Sequence, residues 1–142
     1  MLKDLCLLNG TSGREDAVRN YIIEKIKDKC EYSVDALGSV IAFKKGRKAP
    51  DKKVLVAAHT DEVGFIITDI TDDGYLRFAP VGGIDAAVVL GRRVDINGIK
   101  GVVGAKAVHL LSDDEKKNEP AFDKLAIDIG AADKAEAEKA VS

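Results

Sequence analysis

The sequence contains no tryptophan, only three tyrosines and four phenylalanines, and a net charge of only −2 at pH 7. With so few aromatic rings, a core has to be built from valine, isoleucine, leucine and alanine. The small net charge gives no basic field for nucleic acid or for an anionic membrane. No apolar run approaches the roughly 20 residues that span a bilayer. The N-terminal segment is too short and too charged for a signal peptide, so we expect a cytoplasmic protein.

Cysteine is equally scarce, since Cys6 and Cys30 are the only two. Without a secretory signal, we expect them to be free thiols and not a disulfide. Apolar residues make up 46% and charged residues 32% of the 142 residues, the mix of a globular protein. This length fits one domain or parts of two.

The first third of the chain has the pattern of a helix followed by a hairpin. Ser12 and Glu15 have the spacing of a capping box, which predicts a helix from there to about Cys30. The following alternation of apolar and polar residues predicts a hairpin that turns at Leu37 and Gly38. These elements are typical of the beginning of an α/β domain.

An uninterrupted apolar run, Val54–Ala58, comes next. Such a run predicts a strand that is covered on both faces, as in the sheet of an α/β protein. Residues 1–64 contain only one strand of this kind, which is too little to bury both faces of a sheet. We therefore interpret residues 1–64 as part of a larger α/β domain.

The pattern changes after Gly64 to short strands separated by turn signals. The pairs Asp73-Gly74 and Asn97-Gly98 each join two strand-like runs, and residues 125–131 form a further strand. Short strands without helices predict a small antiparallel β-barrel over residues 65–131. Residues 112–124 are charged and predict a loop.

The last segment, residues 132–142, predicts a terminal helix. Asp133 and Glu136 have the spacing of a second capping pair. The predicted architecture is therefore a partial α/β domain, a small barrel and a short helix.

His59 follows the predicted buried strand, and Asp61 and Glu62 come two and three positions after it. Sites of α/β proteins lie at the carboxyl ends of strands, and a neutral imidazole is a good zinc or cobalt ligand. Asp61 would accept the other ring N–H of His59 or contact the metal itself. A hydrogen-bonded strand end without metal remains the alternative from spacing alone. Glu62 fits an outer position of the site, although a solvated acid is the simpler interpretation.

Several further motifs accompany the segment AHTDEVGF at residues 58–65. They are LNGTSGREDAVRNYI at the start, VDALGSVIA with Ser39 where asparagine is usual, and then VGGIDAAVVLGRRV, GVVGAKAVHLLS and LAIDIGA. As an ordered set, these blocks resemble the dinuclear metallo-aminopeptidases that assemble as tetrahedral (TET) dodecamers. That family includes glutamyl and deblocking aminopeptidases and proteins labelled endoglucanase M.

The resemblance implies that His59 is a metal ligand and that Asp61 orients its ring. It also implies two zinc or cobalt ions in the complete active site, a peptide substrate, and a barrel that carries dimer contacts in a homo-oligomer. In such sites, two metals activate a shared water, and a glutamate acts as general base. No residue of this sequence matches the family's other ligands or its base, and the second histidine, His109, matches no ligand position.

We therefore expect the chain to be an N-terminal portion of an aminopeptidase that is inactive by itself. The competing interpretation is a non-catalytic interaction module in which the barrel self-associates. Polysaccharide cleavage is a weaker third possibility, because a glycosidase needs two carboxylates flanking the scissile bond, and none are convincingly paired here.

Overall fold

The protein is described by a computed structural model that covers residues 1–48, 52–106 and 121–141. The chain divides into two compact units, Met1–Glu62 and Val63–Ser142. His109 and most of the predicted loop at residues 112–124 lie outside the described residues. Both cysteines belong to the first unit and are free.

The first unit contains two helices and a hairpin. A single turn, α1, spans Leu2–Leu5, and α2 spans Asp16–Ile26. Strands β1 (Glu31–Val34) and β2 (Val40–Phe43) pair antiparallel. The predicted hairpin is thus confirmed, and its turn contains Gly38 at φ +89°. Glycine adopts this left-handed conformation without the steric penalty that a Cβ atom would bring.

The predicted capping box at the start of α2 is wrong. The helix begins one residue after Glu15, which is the N-cap and makes no side-chain capping hydrogen bond. Instead, the Glu15 carboxylate accepts a hydrogen bond from Gly13 N at 2.6 Å. The Ser12 hydroxyl donates to a partner elsewhere in the unit, so it does not cap α2. The helix also ends at Ile26, four residues earlier than predicted.

The predicted strand at Val54–Ala58 is wrong as well. These residues have no regular secondary structure. The side chains of Val54, Leu55 and Val56 are 89%, 91% and 88% exposed. A strand needs a neighbour that pairs with its N–H and C=O groups. In the part of the chain that the structure describes, the two sheets contain other segments and none pairs with this one.

The second unit is built on one five-stranded antiparallel sheet with the order β3-β4-β7-β6-β5. The strands span Gly64–Ile70 (β3), Leu76–Val81 (β4), Arg93–Ile96 (β5), Ile99–Ala105 (β6) and Leu125–Asp128 (β7). Within the described ranges, β3 and β5 are edge strands that do not pair with each other. The sheet is therefore open there, and closure into a barrel stays a prediction.

Both turn signals in this unit are confirmed. Gly74 has φ +80° in the turn between β3 and β4. Between β5 and β6, Asn97 and Gly98 have φ +49° and +96°. Two successive residues with positive φ give the type I′ turn, whose twist matches that of the flanking strands. The dipeptides therefore favour these hairpin registers through local backbone conformation.

The core of this unit lies on one face of the sheet. Strand residues alternate, so every second side chain of β4, β6 and β7 points into it. Three phenylalanine rings form a cluster in this core, those of Phe65, Phe78 and Phe122. The ring centroids of Phe65 and Phe78 lie 4.8 Å apart, and the two rings meet edge to face. The buried residues of the core are Leu76, Phe78, Ala86, Val89, Val103, Leu125, Ile127 and Ala137.

Within the described part of this unit, three short helical segments accompany the sheet. Helix α3 (Ala86–Val89), capped by the Asp85 carboxylate, and a 3-10 turn at Phe122–Lys124 were not predicted. Helix α4 spans Lys134–Val141 and packs on the sheet. The predicted capping pair at its start is confirmed, because Asp133 Oδ1 accepts from Glu136 N and Glu136 Oε2 accepts from Ala132 N. In the described residues, no helix has the length and hydropathy needed to cross a membrane.

Candidate metal-binding site

His59 lies at the open surface of the first unit, with its side chain 84% exposed. It follows the segment Val54–Ala58, which has no regular secondary structure, so the predicted strand end is not formed. Two oxygen atoms of Asp61 approach the ring. His59 Nδ1 lies 2.9 Å from the Asp61 carbonyl oxygen and 3.1 Å from Asp61 Oδ1.

These two contacts favour one tautomer of the imidazole. A carbonyl oxygen and an ionised carboxylate only accept hydrogen bonds. The hydrogen that both contacts require must therefore be on Nδ1. The lone pair of the neutral ring is then on Nε2, which is the atom that remains to bind a metal ion. The structure thus brings His59 and Asp61 together in the arrangement that orients a histidine ligand.

Asp61 is fixed from its other side by Ser12. The Ser12 hydroxyl donates a hydrogen bond to Asp61 Oδ2, while Oδ1 faces His59. The Ser12 hydrogen bond, followed by the contact with His59, holds the pKa of the Asp61 carboxyl below its ordinary value. Asp61 is therefore ionised at neutral pH, as a carboxylate that accepts two hydrogen bonds should be.

Glu62 ties the same segment to the loop before α2. Its backbone N donates to Gly10 O at 2.8 Å, and its Oε1 accepts from Gly10 N at 3.1 Å. Glu62 also forms an isolated parallel bridge with Thr11. The side chain is exposed, yet it has a definite role as the acceptor for a backbone N–H group. The segment 59–62 is thereby held by loop residues 10–12, which we call the Gly10–Ser12 loop.

Gly10 is required at this junction because of its small size. A Cβ atom at this position would lie 2.8 Å from Val18 Cγ2 and 3.3 Å from Thr60 O. Real Cβ atoms essentially never approach a carbon this closely. The absence of a side chain therefore allows the Gly10–Ser12 loop to reach the backbone of the site.

A shallow cavity of about 240 Å³ adjoins His59. One wall consists of apolar side chains from α1 and α2 and the loop between them, and the other consists of the polar segment 59–62. The cavity is open to solvent, so it places His59 at the surface beside an apolar wall. Its lining residues are Leu5, Cys6, Leu8, Val18, Ile22, His59, Thr60, Asp61 and Glu62.

Across residues 1–48, 52–106 and 121–141, no three histidine, cysteine, aspartate or glutamate side chains are grouped so as to hold a metal ion. His109 lies outside these residues. A catalytic zinc site commonly has three protein ligands. The described residues therefore supply one oriented imidazole with its carboxylate partner, and a complete site needs further ligands.

Sequence reasoning identified His59 and Asp61 but missed the residues that hold them. Ser12 and Gly10 lie about fifty positions earlier in the chain. The segment TSGRE gave Ser12 a sufficient local explanation as a helix cap, and no local signal connects it to Asp61. Only the fold brings these residues together.

Known proteins similar to this chain include proteins named aminopeptidases. A putative aminopeptidase of Acetivibrio thermocellus is 43% identical over 144 residues, an alignment that covers 100% of this chain and 41% of the relative. The crystal structure of a TET aminopeptidase from the marine sediment archaeon Thaumarchaeota archaeon SCGC AB-539-E09 superposes with a TM-score of 0.89. It is 38% identical, and the match covers 99% of this chain and 41% of that one.

A second solved structure is that of the Pyrococcus horikoshii TET1 peptidase, which can assemble into a tetrahedron or a large octahedral shell. It is 41% identical with a TM-score of 0.81, and the match covers 99% of this chain and 43% of that one. The chain thus spans about 40% of the length of the relatives that it matches. The family described as M42 glutamyl aminopeptidase matches residues 38–142, and we conclude that the chain belongs to this family.

Proposed function

We propose that the chain is part of a metal-dependent aminopeptidase, in which His59 is a metal ligand and Asp61 orients it. The observation that carries this proposal is the contact of His59 Nδ1 with two acceptor oxygens of Asp61, which leaves Nε2 for a metal. The relatives are named aminopeptidases or peptidases, which supports the reaction class.

The donor set suits zinc or cobalt. Imidazole nitrogen is a preferred ligand of both ions, and a carboxylate that accepts the other ring N–H is the usual partner of such a histidine. Two such ions in the complete site would polarise the scissile carbonyl and lower the pKa of a bound water. The residues of this chain hold and orient one ligand. The remaining ligands and the general base belong to other polypeptide.

The exposed run Val54–Val56 supports the same division of the site. Its β-prone apolar side chains precede His59 and are almost fully exposed. In the complete protein, this run is a strand of a catalytic domain that includes residues 1–64, and neighbouring strands carry the missing ligands to the same edge. The 142-residue chain by itself is then inactive toward peptides.

The second unit has a different role in this proposal. In this proposal, residues 65–131 are an inserted barrel-like domain. Strands β3 and β5, which are edge strands within the described residues, would pair with another copy. The tetrahedron or large octahedral shell named for the TET1 peptidase supports a homo-oligomer. We propose that this oligomer is built from dimers, up to a dodecamer. Sedimentation that shows only monomers at every protein concentration tested would contradict this part of the proposal.

Metal titration of the purified chain tests the role of His59. Addition of Co²⁺ should broaden the nuclear magnetic resonance signals of residues near Asp61, because a paramagnetic ion bound to Nε2 lies close to them. The binding is expected to be weak, since one imidazole supplies a small part of a full coordination shell. His59→Ala should abolish the effect.

His109→Ala is the matched control, because it removes the other imidazole of the chain and should leave the broadening near Asp61 unchanged. Broadening that survives His59→Ala would refute the ligand assignment. Aminopeptidase turnover by the pure 142-residue chain, with no longer protein present, would refute the expectation of inactivity.

A further inference from the structure

The side chain of Ser12 belongs to the site although it lies 49 residues before Asp61 in the sequence. Its hydroxyl donates to Asp61 Oδ2. The contact of Asp61 with His59 uses the other oxygen, Oδ1, at 3.1 Å. The three side chains thus form a continuous chain of hydrogen bonds from the loop before α2 to the imidazole ring.

A carboxylate on a surface loop has no fixed orientation unless both of its oxygens are engaged. Rotation about χ2 of an aspartate is broad, and the Asp61 side chain is 43% exposed. The Ser12 hydroxyl holds Oδ2 and therefore selects the rotamer in which Oδ1 faces the ring. Without this hydrogen bond, water competes for both oxygens, and the carboxylate spends less time against His59 Nδ1.

The geometry of the Gly10–Ser12 loop places the hydroxyl where it is needed. Arg14 N donates to Thr11 O at 2.8 Å, which closes a turn around Ser12 and Gly13. Gly13 has φ +86°, a conformation that most other residues avoid. On the other side of Ser12, Gly10 and Thr11 pair with Glu62. The backbone on both sides of Ser12 is therefore fixed relative to Asp61.

We infer that Ser12 is a positioning residue, which holds the Asp61 carboxylate against His59 Nδ1 and so keeps Nε2 free for a metal ion. The inference rests on the proposed function of His59 but concerns a separate property, the tautomer of its ring. The Asp61 carbonyl oxygen contributes the second acceptor at 2.9 Å. Loss of the serine hydroxyl should weaken the preference for the Nδ1–H tautomer without removing it.

The test compares Ser12→Ala, Ser12→Thr and Thr11→Ala in the full 142-residue chain. Ser12→Thr keeps a hydroxyl at the same position. Thr11→Ala removes a neighbouring hydroxyl whose hydrogen bond goes to Asn9 and not to Asp61. Long-range correlation between ring protons and ring nitrogens reports the tautomer of His59 in alkaline solution, where the imidazole is neutral. His59→Ala identifies its signals against those of His109.

The wild-type ring should be mainly in the Nδ1–H form. Ser12→Ala should shift the tautomer ratio toward Nε2–H by about two- to tenfold, the effect of one lost hydrogen bond. The Ser12→Thr and Thr11→Ala variants should resemble the wild type. A ratio that is unchanged by Ser12→Ala, or one that Ser12→Thr does not restore, would overturn the inference, as would a wild-type ring mainly in the Nε2–H form.

A parallel Co²⁺ titration separates this inference from the proposed function. If Ser12 controls the tautomer but His59 binds no metal, the positioning role stands and the metal proposal fails. If His59 binds metal with equal affinity in wild type and Ser12→Ala, and the tautomer ratio is also unchanged, the positioning role fails and the metal proposal stands. If the positioning role and the metal proposal are both correct, Ser12→Ala should weaken Co²⁺ binding about three- to tenfold. This is less than the 10- to 100-fold loss typical when a direct partner of a metal ligand is removed.

Discussion

The two units of the chain are packed very differently. The second unit, Val63–Ser142, has a continuous core of eight buried residues from its sheet and helices. In the first unit, Val18 is the one buried hydrophobic side chain among the described residues. The exposed large hydrophobic residues of the first unit are Met1, Leu2, Leu7, Tyr32, Val34, Leu37, Ile41, Phe43, Val54, Leu55 and Val56.

The buried core and the candidate site therefore lie in different units of the chain. Burial of apolar surface is the main driving force of folding, so the second unit has the means to be stable by itself. The first unit carries His59 and Asp61 but little buried apolar surface. Its site is therefore held by hydrogen bonds from the Gly10–Ser12 loop.

Leucine truncation in each unit should give the largest contrast. Leu125 is 0% exposed in the core of the second unit, whereas Leu55 is 91% exposed in the first. Leu125→Ala should lower the free energy of unfolding by about 2–5 kcal/mol, because it leaves a cavity. Leu55→Ala should change it by less than about 0.5 kcal/mol. Urea unfolding followed by far-UV circular dichroism measures both.

This pair of variants tests whether the two units differ in packing in solution. Equal destabilisation by the two changes would mean that Leu55 is packed in solution. Val102→Ala is a control within the second unit, since this side chain is 45% exposed on β6 of the same sheet. It should cost clearly less than Leu125→Ala.

A smaller effect is expected from added volume in the second unit. A Cβ atom at Gly101 would lie 2.5 Å from Ile127 Cγ2 and 3.2 Å from Asp128 O. Gly101→Ala should therefore overpack the core and cost about 1–3 kcal/mol of unfolding free energy. Gly83 has no neighbour within 4 Å of its would-be Cβ, so Gly83→Ala is the matched control with little effect. If Gly101→Ala lowered the temperature of thermal unfolding no more than Gly83→Ala does, the core beside Gly101 would be packed more loosely than described.

The smallest effect concerns the hairpin of the first unit at low pH. The Asp35 carboxylate accepts backbone N–H groups from Ser39 at 2.8 Å and Leu37 at 2.9 Å. These hydrogen bonds, that of Ser39 first, hold the pKa of Asp35 below its ordinary value of 3.8. A depressed pKa means that the ionised form stabilises the turn above pH of about 3.8. This stabilisation is lost as the pH falls through the lower value.

The amide signals of Leu37 and Ser39 measure this loss in an acid titration. Their chemical shifts should change with a midpoint below pH 3.8, and Asp35→Asn should abolish the change. A midpoint above that pH would mean that the carboxylate is not held by the turn. The hairpin would then be less ordered than the turns of the second unit.

The accuracy of sequence-based prediction follows the same division between the units. The turns at Asp73-Gly74 and Asn97-Gly98 were predicted correctly, because positive φ is a property of the residues themselves. The cap formed by Asp133 and Glu136 was also correct, since its partners are three positions apart. Local rules determine these features, and the sheet that they connect then buries its own core.

The errors arose where the structure depends on distant residues. Val54–Ala58 was predicted as a buried strand, but burial requires a covering surface that the described residues do not supply. Ser12 was predicted as a helix cap, but its hydroxyl binds Asp61. In the candidate site, the contact of Asp61 with His59 was predicted from a spacing of two, whereas the hydrogen bonds between Gly10 and Glu62 span 52 positions.

The exposure of Val54, Leu55 and Val56 has a consequence for the handling of the protein. A β-prone run without charge, open to solvent, favours strand pairing between molecules. Lys52 and Lys53 precede the run directly, and we expect them to oppose this pairing, because identical positive charges repel when such segments align. Salt that screens these charges should therefore speed up the precipitation of concentrated solutions.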